Sequence, residues 1–191
     1  MWMKTLTVGM ISTNCYLIGR EEGDDCLVID PGAEGRRILT AAEGRRIAAV
    51  LLTHGHFDHI AGIPELAKLQ GAPLPIYIHS LDQAMLTDPA LNASLSLLGR
   101  KVVSLPATNL VAEGETLSLA GLDIQVLHTP GHTPGGVCYL TEGHLFTGDT
   151  LFHHGWGRTD LPGGSQKDLF ASLRRLMPLA RTLPVYPGHE D

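Results

Sequence analysis

Short apolar blocks, punctuated by glycine, proline and acidic residues, run the length of the chain. Residues 4–9 alternate as Lys-Thr-Leu-Thr-Val-Gly and predict a strand. Residues 15–19 and 26–30 predict two more, joined by the acidic, glycine-containing link 21–25 that reads as a hairpin turn. Asp30-Pro31-Gly32 stops the third strand, with Asp30 placed to cap backbone N–H groups. Ile38, Leu39 and Ala42 fall at helical spacing within 33–43. A buried strand is expected over 47–53. A helix follows over 59–70, which Pro64 either opens or breaks and Gly71 closes.

Residues 75–79 predict another strand and 81–86 a short helix. Leu91, Leu95, Leu97 and Leu98 lie at near-helical spacing and are expected to cover the core; a lid or substrate wall is the alternative. Beyond Leu110 the texture changes to strands and tight turns: 116–119, 122–127, 138–140 and 145–147, with a hairpin at 141–144. Residues 165–177 predict a helix capped by Ser165 and ended by Pro178. A last strand over 182–186 delivers His189. No internal repeat at fixed period is present.

The chemistry gathers where the strand 47–53 ends. Thr53-His54-Gly55-His56-Phe57-Asp58-His59 places His54, His56, Asp58 and His59 within six residues. His54 and His56 are two apart and point the same way in extended chain. Asp58 and His59 leave in other directions as a helix begins. Burying such groups unpartnered costs roughly 2–7 kcal/mol each, so a core strand ending in this cluster points to metal ligation.

This motif resembles the His-x-His-x-Asp-His signature of the metallo-β-lactamase superfamily. Three later segments follow the same pattern in order: His132 in His-Thr-Pro-Gly-His-Thr-Pro-Gly-Gly, Asp149 in Phe-Thr-Gly-Asp-Thr, and His189 in Tyr-Pro-Gly-His-Glu. The resemblance spans nearly the whole chain and implies an α/β fold, a four-layer αβ/βα sandwich, as a single domain over 1–191. It implies two divalent metal ions, zinc foremost, with manganese or iron also suited. His54, His56 and His132 would bind one, Asp58, His59 and His189 the other, with Asp149 bridging. Such a pair, roughly 3.5–4 Å apart, would hold a hydroxide at neutral pH, and Asp58 would orient it or take its proton. The Asp-Pro-Gly turn would lie near the metal floor.

Within the superfamily the glyoxalase II-like thioester hydrolases look closest, which implies a small-molecule hydroxyacyl-thiol substrate. Gly-Trp-Gly-Arg-Thr-Asp at 155–160 resembles the glyoxalase II loop that carries a basic residue to glutathione, and Arg158 matches that residue; an ion pair with Asp160 is the other reading. The glyoxalase II tyrosines are replaced here by Asp160 and Asp191, and its C-terminal helical domain has no counterpart in these 191 residues. The position of a cysteine ligand in many β-lactamases reads Asp149, which lowers the expectation of antibiotic hydrolysis. A persulfide dioxygenase, with one iron on His56, His132 and Asp149 or a close variant, is the alternative enzyme. A non-catalytic metal-binding protein is the third reading, disfavoured by the complete ligand set.

Composition removes other classes. A formal charge of −6 without a basic run argues against a nucleic-acid surface, and no apolar run is long enough to span a membrane. Cys15, Cys26 and Cys138 form an odd set without metal-type spacing, each among apolar residues. Buried free thiols and a reducing, cytoplasmic setting are expected. His79, His128, His144, His153 and His154 are expected to be structural or solvated.

Overall fold

The computed structural model describes residues 1–190. Six strands form the first sheet in the order β1-β2-β3-β4-β5-β6. They are β1 (Trp2–Val8), β2 (Thr13–Gly19), β3 (Asp25–Ile29), β4 (Arg46–Leu51), β5 (Ile76–His79) and β6 (Asn109–Val111). The first three pair antiparallel; β3 to β6 pair parallel. Parallel neighbours need crossovers, and α1 (Gly35–Ala41), then α2 (Phe57–Ile60) and α3 (Ile63–Gln70) supply two of them. The second sheet orders as β11-β10-β9-β8-β7. Its strands are β7 (Thr116–Leu119), β8 (Leu122–His128), β9 (Val137–Thr141), β10 (His144–Gly148) and β11 (Val185–Pro187).

Alternation along β2, β3 and β4 explains the layering. Tyr16, Ile18, Leu27, Ile29, Ala49 and Leu51 face inward and pack on Ile124, Val126, Tyr139 and Phe146 of the second sheet. Their neighbours Cys15, Leu17, Cys26, Val28 and Val50 face the other way and pack under Ile38, Ile63 and Leu66 of the helices. Strands buried on both faces are covered by layers on both sides, as parallel sheets require. The second sheet's outer face packs Cys138 and Leu145 on Leu176 of α5 (Gln166–Ala180). The result is the four-layer helix–sheet–sheet–helix sandwich expected from the sequence.

Most predicted elements form, and the departures have local causes. The expected helix 59–70 is two helices, broken at Ala61-Gly62, with Pro64 in the first turn of α3, where its missing N–H costs nothing. Pro178 does not end α5; the helix runs on to Ala180, and Arg181 N–H reaches back to the Met177 carbonyl. Residues 80–86 form a 3-10 helix. The three-residue β6 was not predicted, because two of its residues are exposed and it has no periodicity to read. The leucine stretch does not cover the core: Leu91, Leu95 and Leu97 are exposed, and only Ser94 of α4 (Ser94–Leu98) is buried. The cysteines are buried free thiols as expected. Among the described residues no helix is long and apolar enough to cross a membrane.

The two sheets meet where the site is built. Val137 N–H donates to the Thr53 carbonyl at 2.8 Å, and the Tyr139 hydroxyl donates to that of Leu52 at 2.8 Å. Gly148 ends β10 at φ +49°, and a Cβ there would lie 2.3 Å from Thr53 Oγ1. Gly148→Ala is therefore expected to cost about 2 kcal/mol or more in chemical denaturation, through left-handed strain plus displacement of Thr53. An unchanged midpoint would contradict that close approach.

Candidate metal centre

Each motif residue leaves the carboxyl end of a strand, the rim where α/β sheets present ligands. His54 and His56 follow β4, and Asp58 and His59 lie on α2. His132 sits in the β8–β9 turn, Asp149 directly after β10, and His189 after β11. That last segment is tied across the sandwich to β2. Asn14 N–H donates to the Gly188 carbonyl at 2.7 Å, and the Tyr16 hydroxyl to that of Pro187 at 2.6 Å. A Cβ on Gly188 would stand 2.2 Å from Asp149 Oδ1, so only glycine lets the two loops approach.

The ligand-type atoms converge. His54, His56 and His132 form one group whose ring nitrogens lie within 4.8 Å of one another, and Asp58, His59 and His189 form another. Asp149 lies between them, 3.4 Å from Nε2 of His132, 3.4 Å from Nε2 of His59 and 3.5 Å from Nε2 of His189.

The outer nitrogens fix how the rings present themselves. His132 Nδ1 donates to the Arg158 carbonyl at 2.7 Å, and His189 Nδ1 to that of Ile11 at 3.2 Å. His59 Nδ1 donates to Asp30 Oδ2 at 2.9 Å. Thr53 Oγ1 donates to the same carboxylate oxygen at 2.6 Å, which leaves its lone pairs to accept from His54 Nδ1 at 3.1 Å. Four rings thus spend their outer N–H on acceptors and, when neutral, turn a bare Nε2 inward. His56 presents Nδ1 instead, 2.9 Å from Nε2 of His132.

This donor set fits divalent metal. Of the five buried side-chain atoms without a hydrogen-bond partner among the described residues, two are ligand-type atoms of this set, His54 Nε2 and Asp149 Oδ1. Unpaired buried polar atoms are costly, and a cation between lone pairs removes the cost. Nitrogen and carboxylate donors without thiolate suit zinc, iron or manganese.

Electrostatics agree with a site made for cations. Burial, then the neighbouring His132, push His56 down to about 3, and burial, then the nearby imidazoles, hold His54 well below its usual value. Burial also pushes His59 down, but Asp58, Asp149 and Asp30 outweigh it and raise its pKa to about 10. Burial raises the Asp58 carboxyl, yet His59, His189 and His56 hold it well below the carboxylate range.

Several contributors carried no signal in the sequence. Asp82, fully buried on the 3-10 helix, accepts from Thr133 Oγ1 and from Gly135 N–H, both at 2.6 Å, and so braces the His132 turn. Thr13 Oγ1 donates to Asp58 Oδ2 at 3.1 Å. Asp30 does two of the jobs foreseen for it: it caps Thr53 N–H at 2.8 Å and supports the cluster's floor. Arg158 points its guanidinium at Asp160, with two contacts of 2.7 Å, while lining the pocket; its carbonyl orients His132. His79 and His128 stack on each other at 4.1 Å, outside the cluster. Asp191 lies outside the described residues.

Comparison with known proteins places this geometry. The family model described as the metallo-beta-lactamase superfamily matches residues 8–189. The probable metallo-hydrolase YqgX of Bacillus subtilis is 37% identical over 97% of this chain and 89% of its own. The hydroxyacylglutathione hydrolase GloC of Haemophilus influenzae is 33% identical over 98% and 90%. Among solved structures, the BLEG-1 B3 metallo-beta-lactamase superposes with a TM-score of 0.93 at 36% identity, covering 100% of this chain and 92% of its own. A di-iron-bound form of TTHA1623 gives 0.84 at 36% identity over 98% and 92%. ETHE1 from Myxococcus xanthus gives 0.77 at 31% over 100% and 76%.

Two measurements check the site. A divalent ion must displace the proton that His59 holds when metal-free, so loading at neutral pH should release acid, and affinity should weaken as pH falls from about 8 to about 6. Affinity independent of pH would contradict this. Asp30→Ala removes the acceptor that holds His59 and Thr53, and should weaken metal binding by roughly ten- to a hundredfold in a chelator competition; wild-type affinity would show that Asp30 does not position the rings. With fold, ligand-type cluster and sequence likeness in agreement, the chain belongs to the metallo-beta-lactamase superfamily.

Proposed function

We propose that the chain is a metal-dependent thioester hydrolase of glyoxalase II type, acting on S-acyl thiols. The observation that carries this is the cluster of converging nitrogens and carboxylates, His54, His56, Asp58, His59, His132, Asp149 and His189, of which His56, Asp58, His132, Asp149 and His189 line a pocket of about 440 Å³. The residues lining that pocket include no serine or cysteine to serve as a nucleophile. A bound divalent pair supplies acidity: it lowers the pKa of coordinated water and polarises a carbonyl.

The chain's own residues do the rest. His54, His56 and His132 would hold one ion, Asp58, His59 and His189 the other, with Asp149 shared. The Asp58 carboxylate is ionised, faces the pocket and is held by Thr13, so it can accept a proton from water on the carbonyl's side. Phe57, Leu97, Phe152 and Trp156 form an apolar wall that suits an acyl-thiol more than a strongly charged phosphoester. Arg158 lies where a substrate carboxylate would meet it, in exchange for Asp160. The likeness to GloC, a hydroxyacylglutathione hydrolase, supports this reading. A second reading is persulfide oxygenation on a single iron held by His56, His132 and Asp149 or a close variant; the di-iron-bound form of TTHA1623 supports iron on a related fold, as a pair rather than singly.

Protein loaded with zinc or manganese should cleave S-lactoylglutathione or a simpler thioester, and Asp58→Ala should lose roughly a hundredfold or more in kcat. Oxygen uptake with sulfite formed from a persulfide, confined to the iron form, would move the assignment to the oxygenase. Faster turnover of a β-lactam than of any thioester would overturn the substrate class.

A further inference from the structure

Beside the metal pocket lies a second groove, of about 530 Å³, walled by the loop 151–156 and by one face of α5. Phe152 and Trp156 line both, so the groove and the pocket share a wall. On α5 the groove-lining residues are Phe170, Leu173, Arg174 and Met177, spaced i, i+3, i+4, i+7 along one side. The helix already buries Leu169, Ser172, Leu173 and Leu176, so folding leaves most of this second apolar side unused. Trp156 is 53% exposed, Phe170 37% and Met177 38%, although Trp156 packs edge-to-face on Phe170 at 5.6 Å.

The groove also has a charge without an assigned structural use. Arg175 is paired with Glu113 and Arg158 with Asp160, whereas among the described residues no ion pair holds Arg174. Arg174 is the one lysine or arginine among the groove's described lining residues. An apolar trough that adjoins a reactive centre and carries a single arginine is complementary to a chain that is apolar near its reactive end and anionic further out.

We infer that this groove holds the arm that the substrate carries on its sulfur, with Phe152 and Trp156 flanking the passage from the metal pocket and Arg174 meeting an anionic group on the arm. The inference rests on the hydrolase reading only for the identity of the reactive end. It commits the substrate to an amphiphilic thiol carrier rather than to a compact thiol.

Binding tests it without turnover. The chain has two tryptophans, so Trp2→Phe leaves Trp156 as the sole tryptophan, excited selectively at the red edge of the absorption band. The zinc-loaded protein would be titrated with mercaptohexanoate, mercaptohexanol and mercaptoethanol, whose thiolates reach for the metal. The expected order is mercaptohexanoate tightest, by roughly three- to tenfold over mercaptohexanol, with mercaptoethanol weakest. Arg174→Ala should erase the preference for the carboxylate, and Phe170→Ala should shrink the advantage of the longer arm. Equal affinities for the three thiols, or a carboxylate preference that survives Arg174→Ala, would overturn the inference. So would sedimentation showing a dimer that Met177→Asp dissociates, since a second copy would then fill the groove. Selective binding together with no cleavage of any thioester would sink the hydrolase reading and leave the groove assignment standing.

Discussion

One buried carboxylate sets the geometry on which the site depends. Asp30 is 1% exposed at the end of β3, and it accepts from Thr53 N–H, Thr53 Oγ1 and His59 Nδ1. Through Thr53 it also sets the tautomer of His54. A charge in this setting is tolerable only when fully hydrogen-bonded, so its partners have little freedom to move. The sheet delivers the chain to the right place; this hub decides which nitrogen of His54 and of His59 turns toward the cluster.

The second sheet contributes by closing on the first. His132, Asp149 and His189 come from three different connections, and each is braced by backbone: the Arg158 carbonyl, the Gly148 corner against Thr53, and the Ile11 carbonyl. Asp82 braces the turn between β8 and β9 from the opposite side. Such supports keep lone pairs converging without help from the ion, which is how a site built on loops stays ordered.

Much of this was legible in the sequence because the signals were dense or periodic. His54 to His59 stand out as an improbable cluster after an apolar run, and the alternation of β2, β3 and β4 announces strands covered on both sides. His132, Asp149 and His189 were found by resemblance to a known pattern, since single polar residues past strand ends have no periodicity. Backbone carbonyls such as those of Ile11 and Arg158 carry no residue-type signal, and Asp82 is one acidic residue among many. The leucines around α4 misled for a related reason. Helical spacing says that residues share a face, not that the face is buried, and here Leu97 faces the metal pocket instead. Pro178 misled because a missing N–H near the last turn of α5 removes one bond without forcing the helix to stop.

The central claim is that these scattered imidazoles and carboxylates jointly bind metal. Anomalous diffraction from crystals of the metal-loaded protein tests it most directly. Peaks are expected between Nε2 of His54 and the rings of His56 and His132, and between Asp58, His59 and His189, with Asp149 reaching both. Peaks elsewhere on the protein, with no density between these imidazoles and carboxylates, would contradict it.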